Sequence, residues 1–270
     1  MIDTITIGGD LVVQRLGLGT NRIKHDEASI NFLREAATLG IDFIDTADYY
    51  TNRDSERAIG DALAPYAKPH VTIATKGGMV PGERGVWNGS PEYLRAAVEG
   101  SLERLKLERI ELYQLHRVDP KVPLADSVEC LKEMRDAGKI RHIGLSEVSV
   151  AQLEEARSIV EIATVQNEYN LEVRKYDDVV EYCERESIVF LPFFPLGHGR
   201  IDLQREEITS IAKHHTITVQ QVALAWLLHR SQVMLPIPGT LSVEHLCENL
   251  AAAEVALTSE EVATLTALVP

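Results

Sequence analysis

Several common features are scarce or missing in this chain, and each absence removes a class of protein. Only three cysteines occur in 270 residues, Cys130, Cys183 and Cys247, and none forms a CxxC pair. No disulfide scaffold is expected; reduced thiols in or near the core are, which fits a reducing cytosol. Lysine and arginine number 27 against 41 acidic residues, a formal net charge of -14, and no basic run stands out. Phosphate-backbone binding needs a concentrated basic surface, so no nucleic-acid partner is expected. An anionic small ligand would have to be held by local donors, such as helix N-termini and a few arginines. No apolar stretch reaches the roughly 18 residues of a membrane span. The N-terminus, Met1-Ile2-Asp3-Thr4, lacks the basic and apolar regions of a signal peptide. A cytoplasmic protein with no membrane partner is the expectation. No Pro/Gly/Ser-rich linker, low-complexity tract or composition shift divides the chain, so one domain over residues 1–270 is expected.

What is present is an alternation of short β-branched runs with amphipathic segments, the pattern of βα units around a parallel sheet. A hairpin opens it, Thr4-Ile7 and Leu11-Val13 around the turn Gly8-Gly9-Asp10. Eight strands are predicted: Arg15-Leu18, Phe43-Asp45, Thr72-Thr75, Ile110-Leu115, His142-Leu145, Thr164-Gln166, Val189-Phe193 and Met234-Ile237. Helices are predicted over Ala28-Leu39, Pro91-Leu105, Leu124-Ala137, Val150-Ile159, Tyr176-Glu186, Arg205-His214, Thr218-Arg230, Val243-Ala253 and Thr258-Leu268. Start and stop signals support them: Ser90 before Pro91 as cap and first helical residue, Gly40 and Gly138 after helix ends. Eight such units suit a (β/α)8 TIM barrel, which typically needs about 250 residues. A doubly wound sheet is the rival.

The informative residues sit just after the apolar runs. Asp45, Tyr49 and Tyr50 follow Phe43-Ile44, Lys76 follows Val71-Thr75, and His116 follows Ile110-Leu115. In a parallel barrel the strand C-termini converge on one face, and that face carries the chemistry. Singly each residue has an ordinary reading: a helix cap, a loop aromatic, a solvated cation, a rim histidine. Together they form a proton-delivery device. A phenol with an unperturbed pKa of about 10 needs a neighbouring ammonium to become a better acid near pH 7. A carboxylate keeps that ammonium charged, and a histidine can donate to a substrate oxygen. The long loop Gly77-Gly89 carries Trp87, a second candidate at the pocket.

Eight stretches, in order, resemble the aldo-keto reductase superfamily over essentially the whole chain. They are Gly17-Leu18-Gly19-Thr20, Ile44-Asp45-Thr46-Ala47-Asp48-Tyr49-Tyr50, Ala74-Thr75-Lys76-Gly77-Gly78, Glu111-Leu112-Tyr113-Gln114-Leu115-His116, Ile143-Gly144-Leu145-Ser146, Val165-Gln166-Asn167, Pro195-Leu196-Gly197 and Ile237-Pro238-Gly239-Thr240. The resemblance implies a (β/α)8 barrel with an N-terminal β-hairpin cap and an extended nicotinamide cofactor. NADPH is expected first and NADH as the alternative, with a small-molecule carbonyl substrate and no metal. No GxGxxG follows the first strand, as the resemblance requires. It implies Asp45, Tyr50, Lys76 and His116 as the catalytic set, Tyr50 being chosen over Tyr49 by its spacing from Asp45. Ser146 and Gln166 fall where the nicotinamide amide is held, and Phe193 where an aromatic stacks. Gly19, Thr20, Leu196 and Gly197 fall on cofactor-contact positions. Glu147 replaces an expected asparagine. At the adenosine end Gly239 and His245 replace a lysine and an arginine, leaving Thr240, His245, Glu248 and Asn249 as contacts, with Arg200 and Arg22 as candidates for the pyrophosphate. Tyr49, Trp87 and Arg117 would line the mouth. Their mix suits a polar or ring-bearing carbonyl compound, such as a pyridoxal-like aldehyde or a sugar-like ketone. Two other classes stand beside this reading. A regulatory subunit on the same fold is disfavoured by the complete catalytic set and by the lack of an extra N-terminal segment. A metal-dependent sugar enzyme would need several acidic or histidine ligands at strand ends.

Overall fold

The computed structural model describes residues 3–66 and 70–269. The chain opens with an antiparallel hairpin of β1 (Thr4–Ile7) and β2 (Leu11–Gln14), paired from Thr4 opposite Gln14 to Ile7 opposite Leu11. Its turn needs glycine: Gly8 has φ +57, and a Cβ there would sit 2.3 Å from the His142 ring. One hairpin face, Ile7, Leu11 and Val13, packs with Phe43, Ala74 and Leu112 from the barrel strands and with Ala163 just before the strand Thr164–Gln166, so the hairpin plugs the barrel floor.

Seven parallel strands follow, hydrogen-bonded in chain order: β3 (Leu18–Gly19), β4 (Phe43–Asp45), β5 (Thr72–Gly77), β6 (Ile110–Leu115), β7 (Ile140–Ser146), β8 (Thr164–Gln166) and β9 (Val189–Phe190). The expected strand Met234-Ile237 forms no ladder of its own, and the expected Val189-Phe193 shortens to two residues. Pro236 and Pro238 explain the first difference, since neither has an amide to give. The segment 233–239 nevertheless closes the ring. Phe190 N donates to Val233 O at 2.8 Å, and Leu235 N to Phe190 O at 2.9 Å. On its other edge the proline carbonyls accept, from Gly17 N at 2.9 Å and Gly19 N at 3.2 Å. Gly19 has to be bare: a Cβ would lie 2.6 Å from Ile237 O. The result is a parallel barrel of the TIM type with an N-terminal hairpin cap.

Among the described residues ten helices surround it: α1 (Glu27–Thr38), α2 (Asp54–Leu63), α3 (Pro91–Leu105), α4 (Leu124–Asp136), α5 (Val150–Arg157), α6 (Asp177–Glu186), α7 (Glu206–His215), α8 (Val219–Arg230), α9 (Val243–Ala251) and α10 (Ser259–Thr266). Nine match the expected segments to within two residues at each end. Short polar caps hold them. Asp26 accepts from Ser29 N and Ser90 from Tyr93 N, while Ser149, Thr218 and Thr258 complete capping boxes. The tenth, α2, was not expected. It starts from a left-handed Arg53 without a side-chain cap, and its Gly60 fits against the Arg104 carbonyl, where a Cβ would be 2.2 Å away. The main apolar core lies between helices and sheet. Cys130 and Cys183 are buried there and Cys247 is exposed, all three as free thiols. No described helix is long and apolar enough to cross a membrane.

Candidate active site

Because the sheet is parallel and in register, Asp45 at the end of β4, Lys76 near the end of β5 and His116 just past β6 emerge on one face. The ladder runs on beyond the strands and fixes the turn that follows β4. Thr46 N donates to Ala74 O, Asp48 N to Lys76 O, and His116 N to Gly77 O. Tyr50 opens a short 3-10 turn, Tyr50–Arg53, in which Thr51, Asn52 and Arg53 all have left-handed φ. That chain reversal brings the phenol back over β5.

The Lys76 ammonium is fully buried and uses three acceptors: Asp45 Oδ2 at 2.7 Å, Thr46 O at 2.7 Å and the Tyr50 hydroxyl at 3.2 Å. Asp45 is satisfied on its other oxygen by Gln166 Nε2 at 2.8 Å and Gln114 Nε2 at 3.4 Å. A buried ion pair is tolerated when its remaining polar atoms are met in this way. The lysine donates to the phenol oxygen, so the phenolic O–H is left to point elsewhere. Tyr49 makes no such contact. Both tyrosine rings meet the His116 ring edge-on, at 5.7 Å for Tyr50 and 6.1 Å for Tyr49.

The charge states follow from burial and neighbours. Burial alone would drive the Lys76 proton off, but the charges of Asp45 and Tyr50 and the hydrogen bonds to them outweigh it, and the ammonium is held above its usual range. Burial raises the Tyr50 phenol. Lys76 and Arg117 pull it down and Asp45 pushes it up, with a net rise. The acidifying effect expected of Lys76 is therefore present but smaller than the desolvation of the phenol. His116 is pushed well below the usual imidazole range by burial first, then by Lys76 and Arg117. It is neutral at pH 7, and its Nδ1 is buried with no partner.

Except for Lys76, which is buried behind Asp45 and Tyr50, these groups form one wall of a cavity of about 690 Å³. Asp45, Tyr49, Tyr50, His116 and Arg117 line it, and so do Gly19, Thr20, Gln166, Phe193, Leu196 and Gly239. Other expected residues lie outside the lining. Ser146 is buried and accepts from Arg117 Nη1 at 3.0 Å. Glu147 turns to the connection between β8 and α6, accepting from Glu168 N at 2.9 Å and the Tyr176 hydroxyl at 3.1 Å. Gly197 is the buried first residue of the 3-10 turn Gly197–Gly199, and the Arg200 guanidinium stands over the Phe194 ring at 5.8 Å. Thr240 accepts from Ser242 N at the start of α9, along which His245 is exposed, Glu248 half-buried and Asn249 buried. Trp87 is 39% exposed and paired with Met79, which takes the place at the cavity that was expected of the tryptophan. Met79, Phe194 and His198 line the cavity without having been anticipated. The signal for Phe194 is the aromatic pair Phe193-Phe194 leading into Pro195-Leu196-Gly197, and for His198 its place directly after that motif. Arg22, a lesser candidate, also lines it and donates to Gly239 O at 2.8 Å. The cluster His214, His215 and Glu261 could hold a metal ion by its spacing, but none of the three lines the cavity.

The profile of the Aldo/keto reductase family matches residues 15–270. The chain belongs to that family. Among curated proteins, this aldo-keto reductase is 39% identical over 280 residues to pyridoxine 4-dehydrogenase of Escherichia coli, covering 97% of each chain. It is 43% identical over 268 residues to an uncharacterised oxidoreductase of Schizosaccharomyces pombe, with 95% of this chain and 87% of that protein covered. Among solved structures, a thermostable aldo-keto reductase bound to the inhibitor epalrestat superposes with a TM-score of 0.90 at 31% identity, over 98% of this chain and 99% of the other. An aldo/keto reductase of Klebsiella pneumoniae, crystallised with NADP and acetate, gives 0.86 at 29% identity, over 99% and 95%. The aldo-keto reductase described here is an oxidoreductase. Its cavity fits a cofactor such as the NADP crystallised with the Klebsiella enzyme. The one lining carboxylate, Asp45, is neutralised by Lys76, while the lining arginines Arg22 and Arg117 pair with no carboxylate among the described residues. That donor set favours a nucleotide polyanion in a chain whose net charge is -14.

Proposed function

We propose that this enzyme reversibly reduces an aldehyde or ketone to its alcohol with Tyr50 as proton donor, and that its substrate is an aldehyde of the pyridoxal kind. Phe193, Gln166 and the segments 19–22 and 237–239 would hold NADPH, which when bound would supply the hydride. The carbonyl carbon gains that hydride with its electron pair, the C=O π bond opens onto oxygen, and oxygen takes the phenolic proton. The observation that carries the reading is the Lys76 Nζ contact to the Tyr50 hydroxyl, 3.2 Å, beside a lysine locked by Asp45. As the proton leaves, the ammonium stabilises the phenolate left behind. Neutral His116 can place an N–H on the same substrate oxygen without adding a charge that would repel Lys76. Two arguments support the substrate. The walls offer flat aromatic and cationic groups, Tyr49, Phe193 and Arg117, and the E. coli relative named above acts on pyridoxine.

NADPH consumption over a panel of aldehydes and ketones, with NADH in parallel, tests the reading. Tyr50→Phe is expected to lower kcat by about 10²–10⁴-fold while NADPH still binds, since the phenolic proton acts only in the chemical step. If Tyr50→Phe keeps most activity and Tyr49→Phe loses it, the proton comes from Tyr49.

A further inference from the structure

The reaction as written leaves one charged group at the carbonyl end of the cavity without a task. Arg117 follows His116 in the chain and lines the same cavity, half-buried, with its guanidinium 5.7 Å from the Phe193 ring. One nitrogen is fixed: Nη1 donates to the His116 carbonyl at 2.5 Å and to Ser146 Oγ at 3.0 Å. Nε and Nη2 have no protein acceptor among the described residues, and no described carboxylate lies within the 4.0 Å of an ion pair. Lys76, the other cation of this end, is in contrast matched by Asp45 at 2.7 Å. Nor can the nearest titratable neighbours balance Arg117, since His116 is neutral and Tyr50 keeps its proton. A guanidinium held by one nitrogen presents the rest of its planar fork as fixed donors. Stripped of part of its water and given no counter-ion, it favours a ligand that brings an anionic oxygen.

We infer that Arg117 reads a negatively charged oxygen placed beside the reacting carbonyl, so that the enzyme prefers aldehydes carrying an oxido group on the neighbouring ring carbon. The inference rests on the reading in which Tyr50 and His116 hold the carbonyl oxygen. With that oxygen at the His116 side, the next residue in the chain faces the adjacent substituent. Pyridoxal has an ionised oxygen of this kind at ring position 3, and pyridine-4-carbaldehyde has the same ring and aldehyde without it. In a chain with a net charge of -14, a local cation also offsets the general repulsion of anionic substrates.

The test measures kcat/KM for these two aldehydes at saturating NADPH in the parent chain, Arg117→Gln and Arg117→Lys. In Arg117→Gln the ratio of pyridoxal to pyridine-4-carbaldehyde is expected to fall about 10- to 100-fold, the loss of one charge-assisted contact, mainly through KM. Arg117→Lys should recover part of it. The fraction of pyridoxal closed as its internal hemiacetal is the same for every variant and cancels. A fluorescence titration of NADPH is run on each variant, because Arg117 also touches Ser146. A loss of equal size for both aldehydes, or one confined to NADPH affinity, overturns the inference and assigns Arg117 to the cofactor or the fold. An unmoved ratio overturns it too. If the parent chain turns over both aldehydes with no dependence on Arg117, the inference alone fails. If it turns over neither, the substrate reading fails and takes the inference with it.

Discussion

Asp48 is the residue least at ease with its surroundings. It is 2% exposed, its Oδ1 has no hydrogen-bond partner, and burial, followed by the charge of nearby Glu56, pushes its pKa up to about 8. Glu56 is better served, accepting from Thr75 Oγ1 at 2.6 Å and Arg104 Nε at 2.7 Å. The sign of the consequence is opposite to that of a salt-bridged aspartate. Between about pH 4 and pH 8 the unfolded chain ionises this carboxyl and the folded chain does not, so stability falls as pH rises through that window and levels off above it. Asp48→Asn, neutral throughout, is expected to flatten the fall by at least about 1 kcal/mol, or about 2–4 °C in Tm for a domain of this size. Thermal unfolding at pH 5 and pH 8 checks this, and parallel curves for parent and variant would count against it. Lys76 poses a different problem, because removing it changes two groups. Lys76→Met strips the phenol of its main acidifying neighbour and leaves Asp45 buried and unpaired. The limb of the pH–rate profile that reports Tyr50 is expected to move to higher pH, with a stability loss of about 3–5 kcal/mol. A profile that overlays the parent's would sink the pairing.

At the level of elements, the helices with a cap residue and a full apolar stripe were legible, as with Ser90-Pro91 for α3 and the Thr218 box for α8. Helix α2 was not, because its signals are weak one by one. It has a glycine inside, no side-chain cap, and a short apolar face of Ala58, Ile59, Ala62 and Leu63. Its order comes from packing between α1 and α3, a tertiary effect that a sequence window does not contain. The loops show the same limit. Trp87 drew notice as a large aromatic beside glycines, yet its strand-like pairing with Met79 turns the smaller side chain inward. Arg22 shows how an apparent deficit at one position can be met from another element. The chain lacks a lysine at Gly239, but Arg22, in the loop between β3 and α1, places its guanidinium on the Gly239 carbonyl. Arg22→Ala is therefore expected to weaken NADPH about 10-fold and NADH less, as loss of one charge-assisted contact to a phosphate would do. Calorimetric titration of both cofactors decides it. Equal losses would put Arg22 on the pyrophosphate that the two share.

Over the whole molecule, the meeting of Asp45, Tyr50, Lys76 and His116 was readable because barrel topology turns a one-dimensional rule, a polar residue after each apolar run, into one place. The far side of the cavity was less readable, since Phe194, His198 and Met79 belong to loops whose path no periodicity records. The closing stave differs from the expected strand for a plainer reason: the apolar run Met234-Ile237 looks like a strand until the missing donors of Pro236 and the following Pro238 are counted. Those two prolines also have a consequence in time. The seam they form is joined by the amides of Gly17 and Gly19, and Ile237, Pro238 and Gly239 line the cavity. Proline has no amide hydrogen to exchange with deuterium, so on that edge the opening of the ring is written in the exchange of the two glycine amides. Cofactor binding is expected to slow both of them more than it slows the amides of β6 and β7 on the opposite staves, making the seam a built-in clock for how often the empty barrel breathes.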